Sequence, residues 1–301
     1  MKATLIYNPA SGGGATRPAL LAQVAQELNR QGFDTEIVET TAANSAGAQA
    51  RDAVERGAEV VFACGGDGTV HEVLQGMVGS PAAMGVLPFG SQNALARDLG
   101  LSSNILEAAR QHERFTPRPV PVGRLEMTGQ TRYFVVMAGA GPDGALVYRM
   151  LARDKRWLGS FAYYTRAAWL FAGRRFRGFN VEWMENGTVR TTRAVEAMVV
   201  RVADMGGLFR GLGAGAGVDG MELRLVLVKP PAWLSLPLWF SSSWVGLRRW
   251  NPWVRIIEGD DFHCTGDSVD VQADGEWIGR GPVRISLHAA GVHLLMPMPK
   301  A

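Results

Sequence analysis

Through the first 119 residues, short apolar runs alternate with longer stretches of helical period, the pattern of βα units on a mainly parallel sheet. Ala3 to Tyr7 predicts a first strand. Pro18 suits the first turn of a helix, and Leu20, Leu21, Val24 and Leu28 share one face until Gly32. Phe33 to Val38 predicts the second strand and Ala46 to Arg56 a helix stopped by Gly57; Val60 to Cys64 is apolar on both faces, as in a buried strand. That strand runs into Gly65-Gly66-Asp67-Gly68, and helical period resumes from Val70 to Met77. Met84 to Leu87 predicts a further strand closed by Pro88-Phe89-Gly90-Ser91, followed by helices at Asn93 to Leu99 and Ile105 to His112. Beyond Thr116-Pro117-Arg118-Pro119 the runs become β-branched or alternating. Strands are expected at 132–136, 181–183, 195–202, 223–228, 269–273, 283–287 and 291–296. Two domains follow, an α/β domain over 1–119 and a β-rich domain over 120–301, with the segment after about Gly291 a candidate to return to the first.

With 47% hydrophobic and 20% charged residues among 301, the chain is neither disordered nor fibrous. A net charge of +3 argues against a general polyanion binder, and nucleic acid is not an expected partner. Cys64 and Cys264 lie far apart without C-x-x-C partners, so neither a disulfide framework nor a cysteine zinc site is expected, and a reducing, cytoplasmic setting fits. His263, His288 and His293 have no ligand spacing. Met1 to Asn8 holds only a short apolar run before Asn8-Pro9, far short of the basic start and apolar stretch of a secretory signal. The longest uncharged stretch, Pro230 to Leu247, holds three prolines and four serines, which argues against a spanning helix.

Gly65-Gly66-Asp67-Gly68-Thr69 sits between a strand and a helix, where backbone N–H groups and a helix N-terminus can face a phosphate. It lacks the lysine of a P-loop and the spacing of a dinucleotide fingerprint; a plain tight turn is the alternative. Asn8-Pro9-Ala10-Ser11-Gly12-Gly13-Gly14 and Pro88-Phe89-Gly90-Ser91-Gln92-Asn93 are loops of similar kind, and all three can gather at the carboxyl ends of one parallel sheet.

The runs N-P-A-S-G-G, G-G-D-G-T-V-H-E-V-L-Q-G and L-P-F-G-S-Q-N-A-L-A-R-D-L-G-L resemble the diacylglycerol kinase catalytic family, which includes bacterial lipid kinases and sphingosine kinases. The resemblance continues through Gly206-Gly207, Val218-Asp219-Gly220 and Ala273-Asp274-Gly275-Glu276 and so covers essentially the whole chain. It implies an α/β nucleotide-binding domain of NAD kinase/diacylglycerol kinase type with a β-sandwich-like second domain, ATP and Mg²⁺ as cofactors, and a lipid hydroxyl that attacks the γ-phosphate. By the same resemblance Asn8, Pro9, Ala10, Ser11 and Gly12, then Gly65, Gly66, Asp67, Gly68, Thr69, Val70 and His71, meet the nucleotide, with Ser91 in place of a more frequent threonine. Thr40 is a further nucleotide contact, with Thr41 the alternative. Asp67 is expected to hold Mg²⁺ directly or through water. The resemblance makes Glu276 the acceptor of the hydroxyl proton and Asp274 its neighbour; Asp-Gly is also a common hairpin turn. It places a structural Mg²⁺ on Asp219 with the carbonyls of Ala216 and Met221, and here too a plain turn is the alternative.

Two departures stand out. The lysine that many bacterial members carry after the first glycines is absent, with Arg17 the nearest cation, and the common N-D of the third loop is Asn93-Ala94. The latter brings the chain closer to sphingosine kinases, so a sphingoid base joins diacylglycerol as a candidate substrate. An NAD kinase, which also uses G-G-D-G-T, and a catalytically idle nucleotide or lipid sensor are the competing functions.

Membrane contact has two candidate surfaces. Between Arg149 and Arg177 eight basic residues face one acid, with Trp157, Phe161, Tyr163, Tyr164, Trp169 and Phe171 interleaved. Trp233 to Trp253 holds five of nine tryptophans and the pair Arg248-Arg249, suited to an anionic membrane surface or to a domain seam or homodimer contact.

Overall fold

The computed structural model describes residues 1–9, 11, 17–151, 176–203, 216–244 and 251–298. The chain divides into two compact units, Met1–Val122 with His288–Ala301, and Gly123–Leu287. In the first, β1 (Lys2–Tyr7), α1 (Arg17–Arg30), β2 (Asp34–Glu39), α2 (Ala46–Glu55), β3 (Val60–Gly65), α3 (Asp67–Met77), β4 (Ala83–Pro88), α4 (Ala94–Asp98) and α5 (Ile105–Gln111) follow the alternation of apolar runs and helical periods. The strands order β2-β1-β3-β4 with every neighbouring pair parallel. β3 and β4 are buried at every position, because helices cover both faces. α2 crosses α3 closely where two glycines meet; a Cβ on Gly76 would lie 2.1 Å from the Gly47 carbonyl oxygen.

β5 (Phe115–Met127) runs through Thr116 to Pro119, where no strand was expected. Pro117, Pro119 and Pro121 alternate, so their missing N–H groups all fall on one edge and the other edge still pairs. Its partner is the last strand, Val283–Pro297, which runs without a break where two shorter strands were predicted. Gly291 lies within it because the neighbouring backbone comes too close for a side chain: a Cβ would sit 2.0 Å from the Val120 carbonyl oxygen.

In the second unit, β6 (Gln130–Phe134), β7 (Met137–Ala140), α6 (Pro142–Leu151), β8 (Phe179–Glu185), β9 (Thr188–Ala194), β10 (Glu196–Val200), β11 (Leu223–Val228), α7 (Ala232–Trp244), β12 (Val254–Gly259), β13 (Asp261–Cys264), β14 (Asp270–Ala273), β15 (Glu276–Arg280) and β16 (Val283–Pro297) form two antiparallel layers. One sheet orders β12-β11-β10-β7-β14-β15. In the other, β13 lies between β8 and the first part of β16, with β9 outside β8. Phe179, Val181, Phe262 and Ile285 from one layer pack with Val199, Leu225, Leu227 and Val271 from the other, which makes the expected sandwich. Both cysteines are buried and free, and burial pushes each thiol up to about 12.

Candidate active site

The strand order of the first unit reverses between β1 and β3, since β2 lies on one side of β1 and β3 on the other. In open parallel sheets such a reversal leaves a crevice beyond the carboxyl ends of the two strands, where ligands bind. The loops after β1 and β3 open there. Asn8 N–H donates to the Cys64 carbonyl (3.2 Å), Ser11 N–H closes a turn on the Asn8 carbonyl (3.0 Å), and Thr40 N–H donates to the Tyr7 carbonyl (2.9 Å). Asn8, Pro9, Ser11 and Thr40 are thus brought to one edge of the sheet. Ala10 and Gly12 lie outside the described residues.

α3 starts immediately after Gly66, and its first internal bond runs from Val70 N–H to the Gly66 carbonyl (3.1 Å). The preceding amides, on Asp67, Gly68 and Thr69, have no acceptor within the helix and present positive dipole ends toward the crevice. Thr69, Val70 and His71 are buried, so the half-buried Asp67 and Gly68 at the start of α3 are the positions there most open to a ligand. The glycines are required by close approach: a Cβ on Gly90 would fall 2.5 Å from Gly66 Cα, and one on Gly65 would fall 2.3 Å from Thr69 Oγ1.

Two carboxylates on α3 fix the neighbouring loops. Asp67 accepts from the amides of Asn93 (2.9 Å) and Ala94 (2.7 Å) at the start of α4. Glu72 accepts from Asn44 and Ala46 (both 3.1 Å) at the start of α2. Asn93, in the left-handed region at φ 51°, closes the third loop by accepting from Gly90 N–H and donating to its carbonyl. Ser91 stands exposed on that loop. The half-buried Asp67 is fixed by two amides, and its carboxyl group fits one oxygen ligand of a Mg²⁺ that keeps waters and takes substrate phosphates. The capping role of Glu72 was not drawn from the sequence, although a carboxylate spaced five residues after Asp67 was visible there.

In the second unit, Asp274 (φ 47°) and Gly275 (φ 83°) are the two corner residues of a hairpin between β14 and β15. Both left-handed angles are those of a type I′ turn, which explains the Asp-Gly sequence. Asp274 and Glu276 therefore do not share a strand face as a regular strand would have placed them. Asp274 is 7% exposed and accepts from the amides of Val135 (3.0 Å), Val136 (2.9 Å) and Met137 (2.9 Å), so it anchors the bend between β6 and β7. Glu276 is half-buried and begins β15 opposite Ala273.

Arg201, buried at 1% exposure, donates to the carbonyls of Val218 (2.6 Å) and Gly220 (3.4 Å). Burial lowers its guanidinium to about 10, opposed by the charges of Asp274 and Asp219, and it stays cationic at neutral pH. The residues proposed for a structural Mg²⁺ offer one exposed carboxylate, Asp219, while the Arg201 guanidinium holds the Val218 and Gly220 carbonyls that lie between Ala216 and Met221; a cation there would keep several waters. Among the described residues no group of three or more His, Cys, Asp or Glu side chains is arranged to hold a metal.

The diacylglycerol kinase catalytic domain model matches residues 2–125. A diacylglycerol kinase of Bacillus subtilis (strain 168) is 32% identical over an alignment covering 100% of this chain and 98% of that protein. The chain belongs to the diacylglycerol kinase family. A Staphylococcus epidermidis (strain ATCC 12228 / FDA PCI 1200) diacylglycerol kinase is 28% identical over 93% of this chain and 87% of its own length. In fold, this lipid-kinase family member is similar to a crystal structure of a diacylglycerol kinase from Bacillus anthracis str. Sterne (TM-score 0.69, 19% identity, covering 99% of this chain and 97% of that one). A second structure from the same organism gives a TM-score of 0.81 at 22% identity, covering 99% and 95%.

Proposed function

We propose that this family member transfers the γ-phosphate of ATP, with Mg²⁺, to the hydroxyl of diacylglycerol or a related lipid. The observation that carries the reading is the cluster of three loops at the strand reversal, where Gly66 and Gly90 are in backbone contact and Asp67 ties the second loop to the third. The loop amides and the start of α3 bind and orient the phosphates of the nucleotide. Asp67, with Asn8, Ser11, Thr40 and Ser91 around it, supplies oxygen ligands and hydrogen bonds; bound Mg²⁺ would neutralise phosphate charge. In the transfer, the lipid oxygen bonds to the γ-phosphorus, the bond to the β-phosphate's bridging oxygen breaks, and the hydroxyl proton passes to Glu276. Asp274, held by three amides, fixes the turn that carries Glu276.

Within the second unit an open, mainly polar cavity of about 540 Å³ is lined by Gly141, Pro142, Arg177, Asn180, Arg193 and Asp270. Asp270 starts β14 and Asp274 follows its end, so this cavity and the catalytic turn lie about 13 Å apart along one strand. Peripheral contact with an anionic membrane would present the lipid. α7 supports that role, since Trp233 is 70% and Leu238 41% exposed while Leu236 and Trp239 are buried. Among the described residues no helix is long and apolar enough to cross a membrane. Most of the basic and aromatic stretch, positions 152–175, lies outside the described residues, as do Arg248, Arg249 and Trp250.

The test is Mg²⁺-dependent transfer of labelled γ-phosphate to diacylglycerol, sphingoid-base and monoacylglycerol micelles, with NAD as a soluble acceptor and Glu276→Gln alongside. Label on diacylglycerol that is lost in Glu276→Gln, with ATP binding retained, is the expected result. Label on a sphingoid base alone would move the substrate class, label on NAD alone would replace the reading with an NAD kinase, and ATP binding without transfer to any acceptor would favour a sensor.

A further inference from the structure

Beneath the catalytic turn lies a polar cluster that the transfer as described does not use. Gln272, Asp143 and Glu196 are 1%, 7% and 1% exposed. They come from β14, the first turn of α6 and the first residue of β10. Gln272 Nε2 donates to Asp143 Oδ2 (2.9 Å), and Gln272 Oε1 accepts from Gly275 N–H (3.0 Å), at the corner of the turn. Asp143 N–H donates to Glu196 Oε2 (3.0 Å), and Gly144 N–H donates to Asp143 Oδ1 (2.6 Å). Glu196 Oε1 is buried without a hydrogen-bond partner among the described residues. Glycines make room for the group: a Cβ on Gly139 would strike Asp143 Oδ2 at 1.7 Å, and one on Gly141 would lie 3.2 Å from Glu196 Oε2.

We propose that Gln272 is a positioning residue for phosphoryl transfer: its buried amide ties the Asp274–Gly275 turn, and with it Glu276, to the Asp143–Glu196 pair. The inference rests on Glu276 as the proton acceptor. An amide has one donor end and one acceptor end, and both are assigned by their partners. Gly275 N–H requires the oxygen, which turns the nitrogen to Asp143 and requires an acceptor there. An Asp143 oxygen meets that requirement. Burial raises both acids, and the Asp143 charge beside Glu196 raises that one further. Glu196 Oε2 holds the Asp143 amide, and Asp143 Oδ2 holds the Gln272 amide in one orientation. Without that hold, Gly275 loses its tie to the strand beneath it, although the amides on Asp274 and the pairing of Ala273 with Glu276 remain.

Gln272→Glu is the direct test, because it keeps size and shape but sets a carboxylate against Asp143. It is expected to lower kcat about 10- to 100-fold, the scale of a misplaced catalytic group, with KM for ATP within about twofold. Glu196→Gln, a neutral replacement, is expected to restore most of the kcat that Glu196→Ala loses, whereas Asp143→Leu is not rescued by it. Wild-type kcat in a folded Gln272→Glu protein would overturn the proposal. So would a loss of melting temperature without a loss of kcat, or Glu196→Gln as impaired as Glu196→Ala. If Gln272→Glu does not fold, the Glu196 pair decides alone. Full activity of Glu276→Gln would instead remove the proton-acceptor reading, and the two failures are read from different variants.

Discussion

His112, 2% exposed, stacks edge-on between Phe62 and Phe115 and hydrogen-bonds the Val86 carbonyl through Nε2 at 2.9 Å. Burial lowers its pKa from 6.5 to about 4, against the opposing effect of that carbonyl. The folded protein therefore binds the neutral ring, and its contribution to stability is complete above pH 6.5 and lost as the pH falls toward 4. The gap corresponds to about 3 kcal/mol at most. Asp143 and Glu196 oppose this slope, because their raised values favour the folded state as they protonate in acid. The comparison that isolates the ring is wild type against His112→Gln in denaturant titrations from pH 7 to pH 4. Wild type is expected to lose up to about 3 kcal/mol more than the variant over that range, and parallel curves would exclude the assignment. Residues of this kind were hard to see in the sequence. His112 read as the end of a helix, and nothing local in G-P-D-G or V-E-A-M marks Asp143 and Glu196 as partners, since their meeting depends on strand pairing 53 residues apart.

At the scale of elements, the loops proposed to bind nucleotide are a contact between glycines rather than a set of reactive side chains. Gly66 and Gly90 approach until a Cβ on Gly90 would sit 2.5 Å from Gly66 Cα and 2.9 Å from Asn93 Oδ1. The first obstacle is backbone and cannot swing aside, so Gly90→Ala must part the two loops and strain the amides that Asp67 caps. ATP affinity is expected to fall about tenfold or more with the circular dichroism spectrum retained, measured by calorimetric titration. Gly79→Ala serves as the control, for its Cβ would meet nothing within 4 Å and its φ of 75° costs only local strain of about 1 kcal/mol. Unchanged affinity in Gly90→Ala would detach this contact from nucleotide binding. Period was a sound guide to these elements: β1 to β4 and the helices between them follow apolar runs already visible in the chain. It failed where backbone chemistry overrode composition. Three prolines hid β5, Gly291 hid the continuity of β16, and Pro237 hid α7, a helix that keeps a proline within it and forgoes one internal donor. The candidate site was legible in proportion to its glycines and carboxylates, while the capping by Glu72 and the brace from Gln272 needed the fold.

For the molecule as a whole, the proposed transfer requires that a nucleotide site meet a lipid held in a bilayer. α7 carries no charged residue, and no acidic residue occurs from Leu223 to Ile257, whereas Arg224, Lys229, Arg248, Arg249 and Arg255 do. Not all of that charge is available to a membrane: Arg224 pairs with Glu258 at 2.5 Å, and Arg255 lies over Trp183 and 3.5 Å from Glu185. The apolar contribution therefore carries most of the expected affinity. Scaled to their exposure of 70% and 41%, Trp233 would gain about 1–2 kcal/mol and Leu238 about 1 kcal/mol on full burial, so each is worth a few-fold to about tenfold in partitioning. With vesicles of phosphatidylcholine and phosphatidylglycerol, Trp233→Ala and Leu238→Ser are expected to weaken flotation by that factor, and brominated acyl chains to quench Trp233. Phosphorylation of a short-chain, monomerically dissolved lipid should keep its kcat in both variants, because neither side chain belongs to the catalytic turn. Salt should weaken binding only modestly, in keeping with a mainly apolar contact. Unaltered flotation in both variants would exclude this face, and a concentration-dependent change in sedimentation without lipid would identify it as a contact between two copies of the chain.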